Sequence, residues 1–168
     1  MKKIFLSLMA AAGIVCSMQA AETVVFKNIG ERPSLVYRWK YCEPQLIEKG
    51  GPQEQYAIKM TKIGVLRLNE KKLAGKKVKL SAMIKAEEVK ETHKGGGVAF
   101  QIRYREANGK LRAYSRVDKA DRFGSYDWKP MVYTLSIPAD AQEVAIGLGL
   151  QNTTGTVYFS AVNVSVIE

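Results

Sequence analysis

Apolar and polar residues alternate along most of the chain, which is the period of a strand with one buried face. The pattern is clearest in four runs, residues 77–84, 98–105, 131–137 and 144–150. Turn-forming residues separate the runs, among them Gly50-Gly51-Pro52, Gly95-Gly96-Gly97, Asn108-Gly109 and Thr154-Gly155. Many short strands at this spacing predict an all-β fold, a two-sheet antiparallel β-sandwich of the jelly-roll type.

The pair Asn108-Gly109 is the strongest of the turn signals, because it favours a two-residue hairpin turn between alternating runs. A turn closed in this way pairs Arg105 with Arg112 and Arg103 with Tyr114. Side chains then alternate between the two faces. The predicted core face carries Phe100, Ile102, Tyr104, Leu111 and Ala113. The predicted outer face carries Gln101, Arg103, Arg105, Arg112, Tyr114 and Arg116.

The predicted outer face is unusually basic. It has four arginines and one tyrosine, and it has no carboxylate. Like charges opposite each other on a sheet are mildly destabilising, so the cluster indicates a compensating anion, a ligand or a neighbouring loop. A solvated face on a basic protein is the equally weighted alternative.

From Leu73 to the C-terminus, the sequence resembles jelly-roll carbohydrate-binding modules of the galactose-binding-domain-like superfamily, in the group that accompanies xylanases and β-glucanases. The matching phrases, in order, are Leu73-Ala74-Gly75-Lys76, the run Val78 to Ala86, Ser125-Tyr126-Asp127-Trp128, Ile137-Pro138, Gly147-Leu148-Gly149-Leu150 and Gly155-Thr156-Val157-Tyr158-Phe159. The resemblance implies two curved sheets, with glycans bound on the concave sheet or at the loop ends.

The resemblance also places individual residues. It implies that the basic hairpin face lies on the concave side, left open by Gly147 and Gly149. It adds Gln151, Met83 and Lys85 to the candidate ligand-binding residues, and it implies that Trp128 is buried.

Trp39 is a further candidate, because it alternates with Tyr37 and Tyr41 and would share one face with them. Such a face is either a platform on which sugar rings stack or a core strand.

The resemblance raises the question of a structural calcium ion. Many relatives carry an acidic residue after the last Tyr-Phe pair, whereas Ser160 and Ala161 stand there in this chain. Calcium prefers several hard oxygen ligands with carboxylates among them. The calcium site is therefore in doubt, and no cofactor is expected.

Candidate catalytic groups are few. The single histidine, His93, lies just before a triple glycine, and nothing in the sequence orients it toward Cys42. Asp118, Asp121 and Asp127 are interleaved with basic residues in a turn-rich stretch, which is typical of a solvated loop and not of a glycosidase carboxylate pair. We therefore predict that the protein is not an enzyme. The lysine-rich run 71–79 has no nucleic-acid-binding motif beside it, so no nucleic-acid partner is predicted.

The N-terminus has the layout of a secretory signal peptide. Lys2 and Lys3 precede an apolar stretch from Ile4 to Val15, and small residues end the segment at Ala20. We predict a signal peptide over residues 1–20 and one β-sandwich domain over residues 21–168, secreted or periplasmic and without an integral membrane segment. Loss of the two lysines changes the formal net charge from +10 to +8.

These patterns support one main hypothesis and one alternative. The main hypothesis is an exported, non-catalytic protein that binds a poly- or oligosaccharide, with arginines selecting an acidic glycan because their planar fork accepts a carboxylate or sulfate. The alternative is an envelope or extracellular protein-interaction or structural domain on the same scaffold. An exposed aromatic beside the arginines would favour the glycan, and a dry apolar patch would favour a protein partner.

Overall fold

The computed structural model describes residues 22–28, 39–69, 72–115 and 117–167, and within these ranges eleven strands form two antiparallel sheets. The strands are β1 (Glu22–Asn28), β2 (Trp39–Lys40), β3 (Gln45–Ile47), β4 (Ala57–Met60), β5 (Gly64–Arg67), β6 (Lys77–Glu91), β7 (Gly97–Arg105), β8 (Leu111–Ser115), β9 (Gly124–Ser136), β10 (Gln142–Gln151) and β11 (Thr153–Ile167). Short 3-10 turns lie at Pro52–Glu54 and Lys119–Asp121.

The two sheets differ in size and order. The six-stranded sheet runs β3-β4-β11-β6-β9, and β1 pairs with the C-terminal half of the long strand β11 beyond β4. The five-stranded sheet runs β2-β5-β10-β7-β8. The predicted all-β sandwich is confirmed.

Alternation of side chains builds the core between the sheets. On β6, Val78, Leu80, Ala82 and Ile84 are buried, as the period of the sequence predicts. The same parity on β7 buries Phe100, Ile102 and Tyr104, and the ring of Phe100 stacks on Phe159 from the other sheet. Because apolar side chains fill these inward positions, the polar side chains that could contact a ligand lie on the two outer faces.

Several predictions fall outside the described residues. They are the signal peptide over residues 1–20, the aromatic Tyr37 and the candidate ligand-binding residue Arg116. Among the described residues, none of the helical turns is long and apolar enough to cross a membrane.

Candidate binding cleft

The outer face of the five-stranded sheet carries the candidate site. Strand β7 directs Gln101, Arg103 and Arg105 to this face, while its alternate residues enter the core. On the neighbouring strand β10, Gly147 pairs with Gln101 and Ala145 pairs with Arg103. Because these two β10 residues are small, the surface of the sheet is recessed beside β7. These three members of the predicted outer face do lie together.

A cleft of about 200 Å³ opens at the Arg105 end of this face. We call it the arginine cleft, and it is lined by Lys40, Tyr41, Val65, Arg67, Arg103, Arg105, Leu111, Glu143 and Ala145. Four cationic side chains therefore surround a single carboxylate.

That carboxylate, Glu143, bridges two arginines. Arg67 donates from Nη2 to Oε1 at 2.6 Å, and Arg105 donates from Nε to Oε2 at 3.2 Å. Glu143 lies in a bulge of β10 and has a left-handed backbone, with φ of 50°. The hydrogen bond from Arg105, helped by the charge of Arg67, holds the pKa of Glu143 below its usual value. No local sequence pattern marks this partner, which lies 38 residues from Arg105 in the chain.

Arg103 is the arginine that stays available. It is half-buried, and it makes no hydrogen bond or ion pair with any other residue in the described part of the chain. Its Cδ lies 3.2 Å from the position that a Cβ on Gly147 would occupy. Gly147 therefore lets the stem of Arg103 lie against the sheet.

Tyr41 supplies the exposed aromatic of the cleft. Its side chain is 80% exposed, and its φ of 74° lies in the left-handed region that residues other than glycine rarely adopt. This backbone breaks the alternation expected across Trp39 and Tyr41. Trp39 pairs with buried Leu66 and packs on the core, so it follows the core-strand alternative and not the sugar-stacking platform, whereas Tyr41 lines the cleft.

A second, smaller recess of about 90 Å³ lies at the other end of the same face. Gln101 donates from Nε2 to Oε1 of Gln151 at 3.2 Å, so these two candidates do meet. We call this the glutamine recess, and it is lined by residues 95–99, Gln101, Ser115, Arg122 and Gln151.

The predicted register of the β7–β8 hairpin is wrong by one residue. Arg105 pairs with Leu111 and Ile102 pairs with Tyr114. The reason is a three-residue loop, in which Glu106 N donates to Lys110 O and Gly109, with φ of 82°, donates to Glu106 O. A one-residue slip moves every side chain of a strand to the other face. Leu111 and Ala113, which were predicted to face the core, therefore lie on the outer face, and Leu111 lines the arginine cleft.

Arg112 and Tyr114 consequently leave the candidate site. Tyr114 stacks on Tyr104 with ring centroids 5.9 Å apart, on the side of the sheet that faces the core. Their hydrogen bond raises the pKa of Tyr104 to about 12. Arg112 donates to Glu106 at 2.7 Å, which holds the pKa of that carboxyl below its usual value. Both residues brace the hairpin.

Met83 and Lys85 do not join the site either, because β6 belongs to the six-stranded sheet. Its inward positions are the buried ones, so both side chains lie on the far outer face of the sandwich. There Lys85 lies 3.0 Å from Glu87 and over the ring of Tyr158. Trp128 meets the same tyrosine edge to face, with centroids 6.5 Å apart, and is half-buried on this surface instead of buried in the core as predicted.

The two glycines of β10, Gly147 and Gly149, do not leave the outer face open as the resemblance implied. A Cβ on Gly149 would collide with the carbonyl oxygen of Lys62 and lie 2.9 Å from Cα of Ile63. The β4–β5 loop therefore packs directly on Gly149. Glycine is needed there for close backbone approach, and the same loop reaches Gly147, where Cδ1 of Ile63 lies 3.4 Å from the position of an added Cβ.

Within the described ranges, no group of three or more His, Cys, Asp or Glu side chains could hold a metal ion. Ser160, at the position where relatives carry an acidic residue, is fully buried and donates its hydroxyl to the carbonyl of Tyr56 at 2.7 Å.

Comparison with solved structures identifies the architecture. A structure of the CBM22-1 and GH10 modules of the Clostridium thermocellum endo-1,4-β-D-xylanase 10B, complexed with xylohexaose, matches with a TM-score of 0.65 and 12% identity, over 86% of this chain and 28% of that longer chain. The C-terminal family 22 carbohydrate-binding module of the same enzyme matches with a TM-score of 0.61 and 13% identity, over 86% of this chain and 93% of that one. A xylan-binding domain from Paenibacillus barcinonensis Xyn10C matches with a TM-score of 0.59 and 10% identity, over 89% of this chain and 97% of that one. The chain has the jelly-roll fold of these carbohydrate-binding modules.

This likeness shows the fold, which the resemblance in the sequence implied. No protein-family model matches the sequence, and a search of curated proteins gives no match. The function is therefore argued from the cleft itself.

Proposed function

We propose that this protein is a non-catalytic, exported carbohydrate-binding protein whose site is the arginine cleft. The observation that carries the proposal is a cleft lined both by Arg103, whose guanidinium has no partner among the described residues, and by the exposed ring of Tyr41. The fold supports it, since the similar solved structures include a family 22 carbohydrate-binding module and a xylan-binding domain.

Arg103 gives the cleft its preference for an acidic glycan. Its fork can donate two parallel hydrogen bonds to a carboxylate or sulfate. Hydrogen bonds to charged groups contribute about 1.5–3 kcal/mol each. Arg67 and Arg105 are already neutralised in part by Glu143, so they hold the shape of the cleft while Arg103 and Lys40 attract the anion.

Tyr41 contributes affinity that does not depend on charge. The axial C–H bonds of a sugar ring pack against the negative face of an aromatic ring. With 80% of its side chain exposed, Tyr41 has a ring that a glycan can cover. It takes the role first predicted for Tyr114.

The residues of the cleft favour binding over hydrolysis. Glycosidases position two carboxyl groups on either side of the bond that breaks. Glu143 is the one carboxylate among the described residues that line the arginine cleft, and both of its oxygens accept hydrogen bonds from arginine. The N-terminal pattern of Lys2, Lys3 and the apolar run supports export to the periplasm or beyond.

Affinity measurements on paired variants test the proposal. Arg103→Ala should weaken binding to an acidic polysaccharide about tenfold or more, since 1.4 kcal/mol is a factor of ten, and high salt should remove the difference. Tyr41→Ala should weaken binding to acidic and neutral polysaccharides alike. Arg112→Ala and Tyr114→Ala are matched controls on the other side of the sheet and should leave affinity unchanged. If only the controls lose binding, the site is not this cleft.

A specific observation also favours the alternative, a protein-interaction domain. On the six-stranded sheet, half-buried Trp128 and Tyr158 share the outer face with Val132, which is 59% exposed. Exposed apolar patches often mark protein-binding surfaces. If this face carries the function, Val132→Asp should abolish association with a partner from the same cell envelope and leave glycan affinity intact.

A further inference from the structure

The arginine cleft and the glutamine recess meet at Gly147. A Cβ added to Gly147 would lie 3.2 Å from Cδ of Arg103, which lines the arginine cleft, and 3.2 Å from Oε1 of Gln101, which lines the glutamine recess. Gln101 and Arg105 are four residues apart on β7, which is about 13 Å at the rise of a strand. One chain of several sugar units can therefore lie across both recesses.

Cations outnumber carboxylates in the lining of both recesses. The arginine cleft sets four cations against the single carboxylate of Glu143, and the glutamine recess contains one cation, Arg122, and no carboxylate. The carboxylate of Glu91 accepts a hydrogen bond from Gly95 N at 3.0 Å instead of pairing with Arg122. A groove lined by one sign of charge concentrates ligands of the opposite sign.

The charge of Arg122 is not cancelled within the described part of the chain. Its Nε donates to the carbonyl of Val117 at 3.4 Å, and a carbonyl carries no net charge. The neighbouring carboxylate of Asp121 is paired with Lys129. Neither Nη atom of Arg122 has a partner among the described residues. Both can therefore donate hydrogen bonds to an anion in the recess.

Gln151 supplies a second donor beside Arg122. Nε2 of Gln101 donates to Oε1 of Gln151 at 3.2 Å, which leaves the amino group of Gln151 without a partner among the described residues. Because Gln101 is only 8% exposed, this hydrogen bond orients the exposed amide of Gln151 from below. An oxygen anion in the recess can accept from Gln151 and Arg122 together.

We propose that the glutamine recess is a second anion-binding subsite, and that the ligand is a polyanionic glycan with carboxylate or sulfate groups on more than one sugar unit. One acidic group lies beside Arg103 and another beside Arg122. This inference deepens the proposed function of the arginine cleft and rests on it. A single subsite needs one acidic group, whereas two subsites make the affinity depend on the length of the charged glycan.

The test uses a disaccharide and a hexasaccharide cut from one polyuronate, in which every ring carries a carboxylate. The hexasaccharide should bind about tenfold more tightly, because hydrogen bonds to a second charged group add to the first. Calorimetric titration at several salt concentrations measures both affinities. A sulfated neutral oligosaccharide of the same two lengths forms a second arm, and the tighter arm identifies the acidic group.

Variants of Arg122 assign the length effect to the glutamine recess. Arg122→Gln removes the charge and keeps the part of the stem that packs on Gly97, so it should weaken hexasaccharide binding about tenfold and leave disaccharide binding unchanged. Its affinity should also fall less steeply with salt, since fewer counterions are exchanged on binding. Arg122→Lys keeps the charge and should retain most of the affinity.

Arg112→Ala is the matched control, because this arginine is paired with Glu106 and lies on the other side of the sheet. It should change neither affinity. Arg103→Ala should weaken the binding of both lengths, because the arginine cleft holds the disaccharide as well.

The outcomes separate the second subsite from the proposed function. Equal affinity for the two lengths, an unchanged hexasaccharide affinity in Arg122→Gln, or an equal loss in Arg122→Lys would overturn the second subsite and leave a glycan-binding cleft. Equally tight binding of inorganic polyphosphate would overturn the assignment of a glycan, since charge alone would then be recognised. Absence of binding to every acidic oligosaccharide would overturn the proposed function as well.

Discussion

Tyr41 combines an exposed aromatic ring with a strained backbone. A residue other than glycine in the left-handed region costs about 1–3 kcal/mol, and such strain persists where the surrounding structure or a function requires it. With 80% of the side chain exposed, little packing compensates for the cost at φ of 74°. The combination supports a role for the ring outside the fold, in contact with a ligand.

Tyr41→Gly separates the two properties, because glycine adopts this φ without strain but has no ring. We expect the free energy of unfolding to stay the same or rise by about 1 kcal/mol. Glycan affinity should fall as it does for Tyr41→Ala. Chemical denaturation and titration with a bound polysaccharide measure the two quantities. A large loss of stability would mean that the ring holds the fold, and the ligand-binding role would be wrong.

Glu143 shows how a single residue sets the electrostatics of the cleft. Its pKa is lowered because arginines donate to it in the folded protein. A carboxyl whose pKa is lower in the folded state stabilises that state above its unfolded pKa, and the contribution is lost as pH falls through the folded pKa. The affected window therefore lies below the ordinary value of 4.5.

Glu143→Gln should remove part of the stability loss seen on acidification below about pH 4.5, the ordinary value for this carboxyl. At neutral pH the same change frees Arg67 and Arg105, so binding to fully charged glycans should increase. Thermal melts from pH 7 to pH 3, compared with a Glu54→Gln control on an exposed turn, measure the first effect. Identical pH profiles for wild type and Glu143→Gln would contradict it.

At the scale of strands, the sequence predicted correctly where strands form and which residues of β6, β7 and β9 face the core. It did not predict the register of the β7–β8 hairpin. Alternation identified the inward residues of β6, β7 and β9 because burial forces a period of two. The hairpin tip was placed correctly at Asn108-Gly109, but the same pair fits a two-residue turn and a three-residue loop ending in left-handed glycine. That ambiguity moved Arg112 and Tyr114 to the wrong face.

Glu143 and Tyr41 could not be assigned from local patterns. Glu143 reaches the cleft through a bulge in β10, and bulges interrupt alternation at positions that the sequence does not mark. Tyr41 changes face through a positive φ, and tyrosine carries no local signal for that conformation. Long-range pairing between strands decided both positions.

The hairpin loop depends on Gly109. Its φ of 82° suits glycine and, less well, asparagine, and no atom lies within 4 Å of an added Cβ, so only the backbone conformation matters. Gly109→Ala should lower the free energy of unfolding by about 1–2 kcal/mol, and Gly109→Asn by less. Urea denaturation of the two variants measures the order. Equal losses would show that the loop does not require the left-handed conformation.

At the scale of the whole molecule, the sandwich presents two outer faces of different character. The five-stranded sheet offers arginines, glutamines and Tyr41, whereas the six-stranded sheet offers Trp128, Tyr158 and Val132. A fold with two independent faces can bind a glycan and dock to a protein at the same time. Mutations on one face are therefore clean controls for the other.

Ser160 connects the long strand β11 to the segment before β4. Its hydroxyl donates to Tyr56 O at 2.7 Å, and a Cβ on Gly51 would lie 2.6 Å from its Oγ, so the chain around residues 51–56 packs tightly over it. The resemblance implies that many relatives hold this region with an acidic residue and a calcium ion. Here a neutral hydrogen bond ties the same region.

The molecule should therefore be insensitive to calcium. A ligand that binds only the folded state raises its stability, so a resident calcium ion would make the melting temperature fall when a chelator is added. We expect the melting temperature to change little with excess chelator or with added calcium, because Ser160 offers no charge to hold the ion. Ser160→Ala should instead lower the free energy of unfolding by about 1 kcal/mol or more, since the carbonyl of Tyr56 loses its donor. A fall of many degrees in the melting temperature of the wild type on adding chelator would show that other oxygen atoms hold calcium. In that case the hydrogen bond from Ser160 to Tyr56 would not be the main link between residues 51–56 and the sheet.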